Sequence, residues 1–501
     1  MSHPNIAHQV RLEYQGQDLE KKQDGEETPT QVEHPDSSLE EPFLITLNDS
    51  EKPTSLPTSR KWAAVIVISS AGLCVATASS MAAFTEDAVA SQFHVSREVS
   101  ILAISLCIEG LGLGPLFIAP MSEMFGRNAV YRVSYTVFFA FNFAVAFAPS
   151  IAVYLIFRFV TGFCGSAFLS VAGGSVSDMF TDQTVANPMA FYTMCPFIGP
   201  VLGPLISGFI NQNLDWRWTY YILIIWTFAE MVALFFVVPE TYVPVLLQYK
   251  AKRVRRETGD KRYYAPIERE ERNLLLAIAT SCSRPFQLLL TDRMALLLDI
   301  WSALVLGILY LTFEAFPIIF MSVRGFNQQM TGLTFIGIGL GMLFGICTQP
   351  YFNRLYARTA SKNGGLVPPE TRLIMGEWGA IVVPIGLFWM AFTTYKHVHW
   401  IAPILGSIPF GMGIYFVFTS TFTYLVTAYR PIAASAMAAN SAMRSSFAAA
   451  FPLFAGAMYR RLGTVGATAL LAGLMCVFAP LPFIFRRIGA RLRSKSRFAQ
   501  H

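Results

Sequence analysis

Apolar residues run in long unbroken blocks along most of this 501-residue chain. Beyond Lys61 the blocks reach about 20 residues, the length that crosses about 30 Å of hydrocarbon. A soluble helix shows polar positions along one face; these blocks are apolar all round. They predict twelve membrane-spanning helices, at 62–84, 100–120, 129–148, 152–175, 188–210, 218–238, 296–320, 330–350, 374–394, 400–422, 432–456 and 464–485. The first block begins too late for a secretory signal and nothing before it has an apolar core, so no cleavage is expected. The expected fold class is an all-α membrane protein.

Composition agrees: charged residues are 14% of the chain, against about 25% in a soluble domain. Lys and Arg in short loops orient the spans. The richer set is Arg60, Lys61, Arg127, Arg132, Arg354, Arg358, Lys362, Arg372, Arg430 and Arg486 to Arg493; the poorer set is Arg97, Arg217, Arg324, Lys396, Arg460 and Arg461. Both termini are therefore expected in the cytoplasm, with the cell membrane as location and the vacuolar membrane as alternative. This asymmetry accounts for the net charge of +6, and no nucleic-acid partner is needed. The seven cysteines show neither metal spacing nor a disulfide framework, and those inside spans behave as small apolar residues. Neither metal nor cofactor is expected. The sequon Asn48-Asp49-Ser50 lies in the expected cytosolic tail and should be unused.

The apolar blocks divide the chain six plus six. Residues 1–60, with twelve Asp or Glu, predict a disordered acidic tail. The halves are 61–239 and 296–486, separated by a cytosolic loop at 240–295 and followed by a basic tail at 487–501. In the loop, "KAKRVRRETGDKR" (250–262) suits anionic headgroups or a solvated topogenic loop. "ERNLLLAIATSCSRPFQLLL" (271–290) predicts an interfacial amphipathic helix before Pro285. "GLGPLF" (112–117) recurs as "GLGMLF" (339–344), and Arg127 and Arg354 each follow the second glycine by thirteen residues. That register matches the parallel repeat of a rocking transporter with two pseudo-repeated halves.

Several stretches together resemble the major facilitator superfamily, most closely its fungal drug:proton antiporters with twelve spans. "GPLFIAPMSEMFGR" resembles the motif between helices two and three, "RFVTGFCGSAFLSVAGGSVSDMF" (158–180) the helix-four motif, and "GPVLGPLISGFI" (199–210) the helix-five antiporter motif. "DWRWTYYI", "VPETYVPVLLQYKAKRVRRETGD" (238–260), "RPFQLLL", "YLTFEAFPIIF" and "PLPFIFRRIGARLRSKSRFA" extend the resemblance over about residues 55–500. The chain departs from the pattern at Asn128, Ser207 and Thr427, at Glu86-Asp87 beyond helix one, and at Glu109 in helix two.

The resemblance implies proton-coupled export by alternating access in a monomer. Gly112 and Gly114 let helix two approach a helix of the other half. With Glu123 and Arg127, Gly114 marks the family's conformational latch, a bistable contact. Gly199, Pro200, Gly203, Pro204 and Gly208 form the antiporter motif, whose kinks and small residues imply a seal between halves.

Charges deep in spans each cost roughly 2.5–3.5 kcal/mol on an insertion scale. They are Glu109, Arg158, Glu230, Glu314 and Arg444. In the family, helices two, four, seven and eleven face the cavity and six is peripheral. Glu109 and Glu314 are the candidate proton carriers, with Arg158 reporting protonation or anchoring the carrier. Arg444, with Asn440 one turn earlier, either pairs with Glu314 or contacts an anionic or carbonyl group of the substrate. Tyr310, Phe313, Tyr415 and Phe418 are the candidate aromatic wall. No clustered nucleophile, metal site or phosphate-cradling loop occurs, so neither enzymatic activity nor direct ATP use is expected. A nutrient symporter and a broad polyamine or xenobiotic exporter are the alternatives. The arginines and Glu109 favour an exporter dedicated to a metabolite, such as an organic acid or toxin.

Overall fold

A chain crossing hydrocarbon must satisfy its backbone N–H and C=O groups internally, and here helices do so. The computed structural model describes residues 43–181, 184–269, 274–362, 368–429 and 432–494. The first 42 residues of the expected acidic tail, Arg430, and 495–501 of the basic tail lie outside the described residues. Among the described residues, eleven helices are long and apolar enough to span a membrane. Ten are single passes: α1 Thr58–Phe84, α2 Arg97–Phe125, α3 Arg127–Ala146, α4 Ile151–Met179, α5 Asn187–Asn213, α6 Arg217–Val237, α7 Arg293–Ser322, α8 Gln328–Thr359, α9 Pro369–Thr393 and α10 Ile401–Ala428.

The eleventh, Ala433–Arg493, has 61 residues. As one rod it would measure about 90 Å at about 1.5 Å per residue, some three times the hydrocarbon thickness. The backbone breaks at Gly463 (φ 70°, ψ 172°), a conformation that glycine tolerates and a side chain resists. Counting the two arms separately, α11 (433–462) and α12 (464–493), gives the twelve expected passes. An even number of passes returns both described chain ends to one face, called here the terminal face; the opposite one is the distal face.

In the first half α1 packs on α5, α2 on α4, and α3 on α4 and α6; in the second, α7 packs on α11 and α10 on α8 and α9. The halves meet where α2 faces α11 and α5 faces α8. Cross-half hydrogen bonds run from mid-bundle to the distal face: Ser105 Oγ donates to the Ala449 carbonyl (2.6 Å), Ser79 and Tyr310 share a bond (2.8 Å), and the Gln328 N–H donates to Gln212 Oε1 (3.0 Å). This conformation is closed distally.

On the terminal face, part of the stretch expected to be a disordered tail is structured. Leu44 forms a parallel bridge with Tyr264, Lys250 Nζ reaches Glu51 Oε2 (2.6 Å), and Ile45 packs with Ala251 and Ala265. Arg255 binds Glu268 through two bonds (2.6 and 3.1 Å). The basic run is thus partly neutralised within the protein rather than by headgroups alone. The amphipathic helix, expected to end before Pro285, continues as Leu274–Thr291 with that proline inside it. It packs on α2 and α11, one helix from each half; these contacts hold it past the missing N–H. Arg486 binds Glu377 (2.8 Å) and Arg493 binds Glu370 (2.7 Å), tying the end of α12 to the start of α9.

Candidate functional site

Buried charge in an apolar bundle persists only where partners compensate it, so the partners reveal each charge's task. Arg158 on α4 is 1% exposed. Its Nε donates to the Ala103 carbonyl (3.1 Å), Nη1 to Ala78 (3.1 Å) and Nη2 to Ser79 (3.2 Å), and its guanidinium lies 5.8 Å from the Tyr220 ring centroid. The planar fork therefore ties α4 to backbone carbonyls of α1 and α2. These bonds are to carbonyls and not to Glu109 or Glu314, the carboxylates proposed from sequence as its protonation partners.

Glu314 on α7 and Glu109 on α2 are not brought together. Glu314 accepts from Arg97 Nη2 at 3.1 Å, and the same nitrogen lies 3.4 Å from Glu86 Oε2. Glu86 opens the short helix Glu86–Phe93 on the distal face. Burial, then the adjacent Glu314 carboxyl, pushes the Glu86 carboxyl well above the ordinary glutamate range. Glu109 is half-buried mid-bundle and accepts from Ser446 on α11 (3.1 Å). Glu230 on α6 accepts from Ser70 and from Trp226 (3.3 Å), within the first half.

In the second half, Asn440 Nδ2 donates to Asp299 Oδ1 (2.9 Å) and Ser302 Oγ (2.8 Å). Asp299 on α7 is 0% exposed, and sequence reasoning missed it although it stands inside the seventh apolar block. Arg444, one turn from Asn440, lies over Phe418 (5.3 Å) and Phe422 (4.9 Å). Its expected pairing with Glu314 is not formed: Glu314 meets Arg97 from the other half, and Arg444 lies over the α10 rings instead. Phe197 of α5 stacks on Phe418 (5.5 Å) and meets Tyr415 edge-on (6.1 Å). Tyr415 also donates to Gln349 Oε1 (2.9 Å). Tyr310 and Phe313 pack edge to face (4.9 Å), and Phe313 packs against Phe335 (5.6 Å). The candidate residues thus fall into three neighbouring contacts: Arg444 with Phe418 and Phe422, joined by Phe197 of the first half and Tyr415; Asn440 with Asp299; and Tyr310 with Phe313 against Phe335.

The family model of the Major Facilitator Superfamily matches residues 67–452. The chain belongs to this superfamily. A protein described as "Efflux pump atB" from Aspergillus terreus is 49% identical over 395 residues, 78% of this chain and 83% of that protein. One described as "Probable drug/proton antiporter YHK8" from Saccharomyces cerevisiae is 42% identical over 446 residues, 89% and 87% of the two chains. Among solved structures, the E. coli xylose transporter XylE in a partially occluded inward-open conformation superposes with a TM-score of 0.58 at 16% identity, covering 86% of this chain and 98% of that one. At that identity the likeness shows the fold alone.

As a major facilitator, the chain carries two motifs whose geometry is more divided than the sequence implied. Gly112 faces α11, where a Cβ would meet Ser445 Oγ at 2.7 Å, whereas Gly114 faces α4 of its own half, at 2.6 Å from the Phe163 carbonyl. Gly199 and Gly203 press on α1, also within the first half; Gly208 faces the Gln328 carbonyl of α8 (2.7 Å) and so contributes to the cross-half contact. In the loop expected to form the latch, Gly126 (φ +94°) turns the chain against Glu240. That carboxylate accepts from the backbone N–H groups of Arg127 and Asn128 (both 3.0 Å) and of Thr241 and Tyr242 (both 2.9 Å). Two of these donors begin α3, whose N-terminal dipole favours an anion. Arg127 Nη1 donates to Ser122 (2.6 Å), its Nε lies 3.5 Å from Asp178, and it stacks on Tyr242 (4.8 Å). These contacts fasten the loop to α4 and to the segment after α6, leaving it bound within the first half while the distal side is closed. Glu240 lay within the matched stretch 238–260, but its capping role needed the fold.

Proposed function

We propose that this transporter exports a small organic molecule carrying an anionic or carbonyl group, in exchange for protons. The relatives' names, an efflux pump and a drug/proton antiporter, support the direction and the coupling ion. The substrate class rests on one observation. Arg444 is inside the second half with its Nε unpaired among the described residues, while two phenylalanine rings hold its guanidinium in place. A positioned donor flanked by aromatic faces suits a planar acid or carbonyl compound and repels a polycation. Asn440 and Asp299 position α11 against α7; Tyr415, Phe418 and Tyr310 supply adaptable apolar wall. The Lys and Arg asymmetry supports a cytoplasmic terminal face, and the protein operates as a monomer in the cell membrane.

The test is uptake into inverted proteoliposomes with an imposed proton gradient, across a panel of aromatic carboxylic acids, neutral carbonyl compounds and polyamines. Acids or carbonyl compounds should accumulate, collapse with a protonophore, and need no ATP. Accumulation of polyamines alone would overturn the substrate class. Protonophore-insensitive, ATP-dependent uptake would overturn proton exchange.

A further inference from the structure

Glu86 and Glu314 belong to different halves, yet their carboxyl groups lie within hydrogen-bonding reach of each other on the distal side. Both are almost fully buried, at 3% and 1% exposure. Arg97, half-exposed at the start of α2, bridges them through a single nitrogen. One guanidinium contact leaves Glu86 Oε1 and Glu314 Oε1 without a donor, although both atoms are buried. Two ionised carboxylates in contact repel, and each orphaned acceptor carries a desolvation cost. One proton between them removes the repulsion and supplies the missing donor. The cluster then holds one negative charge against the positive charge of Arg97.

We infer that Glu86 and Glu314 form a shared proton-binding site that exists only when the distal mouth is closed, so that closure takes up one proton from the distal solution. The site rests on the proton-exchange reading above and places one proton event in its cycle. Alternating access must separate Glu86 and Arg97 from Glu314, because the first two move with one half and the third with the other. Closing the emptied mouth is the return step of an exporter, and an acidic distal solution favours it through this pair. Charged groups facing Glu86 are Glu314 from α7, Arg97 from α2 and Asp87 from its own helix, the last mostly exposed. Two further charges, Glu98 on α2 and Arg460 on α11, lie within electrostatic range of each other.

The sign follows from linkage: the carboxyl binds its proton more tightly in the closed state, so falling pH stabilises closure. That stabilisation is complete below the open-state pKa and is lost as pH rises through the raised closed-state value. For one proton the closed:open ratio changes by up to about tenfold per pH unit between those limits.

The experiment places spin labels at Ser91→Cys and Ser322→Cys, exposed positions on opposite halves of the mouth. The background is a transport-competent full chain without its native cysteines. Pulsed-EPR distances are recorded from pH 5 to 9 without substrate. The short-distance population should grow as pH falls. It should be insensitive to pH in both Glu314→Gln and Glu86→Gln, whose amides keep a donor between the two side chains. A purely structural contact would not give that split. No pH response in the parent, or the parent's slope retained in a Gln variant, overturns the proposal. Because the two substitutions sit in different halves, either one that folds provides the test. Substrate is absent, so failure here is distinct from failure of proton-driven export, which the protonophore assay reads.

Discussion

Adding a single methyl group at Gly208 should open the distal mouth, whereas the same addition at Gly203 should weaken the protein without moving that balance. In Gly208→Ala the new Cβ would lie 2.7 Å from the Gln328 carbonyl oxygen and 3.4 Å from the Gly332 Cα of α8. Ordinary carbon–oxygen contacts begin near about 3.3 Å, so α5 and α8 must part by roughly 0.6 Å. Overpacking of this kind costs about 1–3 kcal/mol. The penalty applies only while the halves touch, so the closed:open ratio should fall about 5- to 150-fold. In Gly203→Ala the Cβ meets Ser80 Cβ and the Thr77 carbonyl, each at 2.9 Å. Both belong to α1, which moves with α5 in either state. The expected result there is a lower Tm with an unchanged mouth. Pulsed-EPR distances between Ser91→Cys and Ser322→Cys, beside thermal unfolding in detergent, separate the two effects. An unchanged distance distribution in Gly208→Ala, or an equal shift in Gly203→Ala, would refute the assignment of one glycine to the seam and the other to a rigid half.

Arg158→Lys replaces three forked donors with one ammonium, and should lower unfolding stability by about 2 kcal/mol or more while leaving the pH midpoint of transport in place; a moved midpoint would restore a protonation-sensing role. Asn440→Ala strips Asp299 of its amide donor, a loss of about 1 kcal/mol, and should weaken substrate binding measured by calorimetry; unchanged affinity and stability would detach α7 from the site. Glu109→Gln keeps a polar group opposite Ser446 and should preserve both counterflow and gradient-driven transport; selective loss of the gradient-driven component would make Glu109 a proton carrier. Glu240→Ala removes the acceptor for four backbone N–H groups around the proposed latch and should slow the conformational cycle severalfold with substrate affinity retained; a parental turnover rate would overturn the latch assignment at Glu240.

Taken alone, the sequence determined what depends on distance along the chain. Hydrocarbon offers no hydrogen bonds, so each crossing must be a continuous apolar helix of bilayer length, and twelve such lengths are legible without any partner. The motif spacing likewise pointed to the superfamily, because the Gly114 to Arg127 register and the repeated glycine-proline steps of α5 are local patterns. Only the tertiary structure decided which charges meet. Arg97 and Glu314 are 217 residues apart, and Arg97 reads in sequence as a loop cation rather than as the partner of a buried acid. Asp299 and Asn440 are 141 apart, and no periodicity connects them. Helices apolar on every face do not announce which side looks inward, so Glu109 and Glu314 looked equivalent until packing put one on the α2–α11 seam and the other beneath the distal mouth. Gly112 and Gly114, two residues apart, turned to different halves for the same reason: a helix advances about 100° per residue, and the neighbour each residue meets is set by the packed bundle.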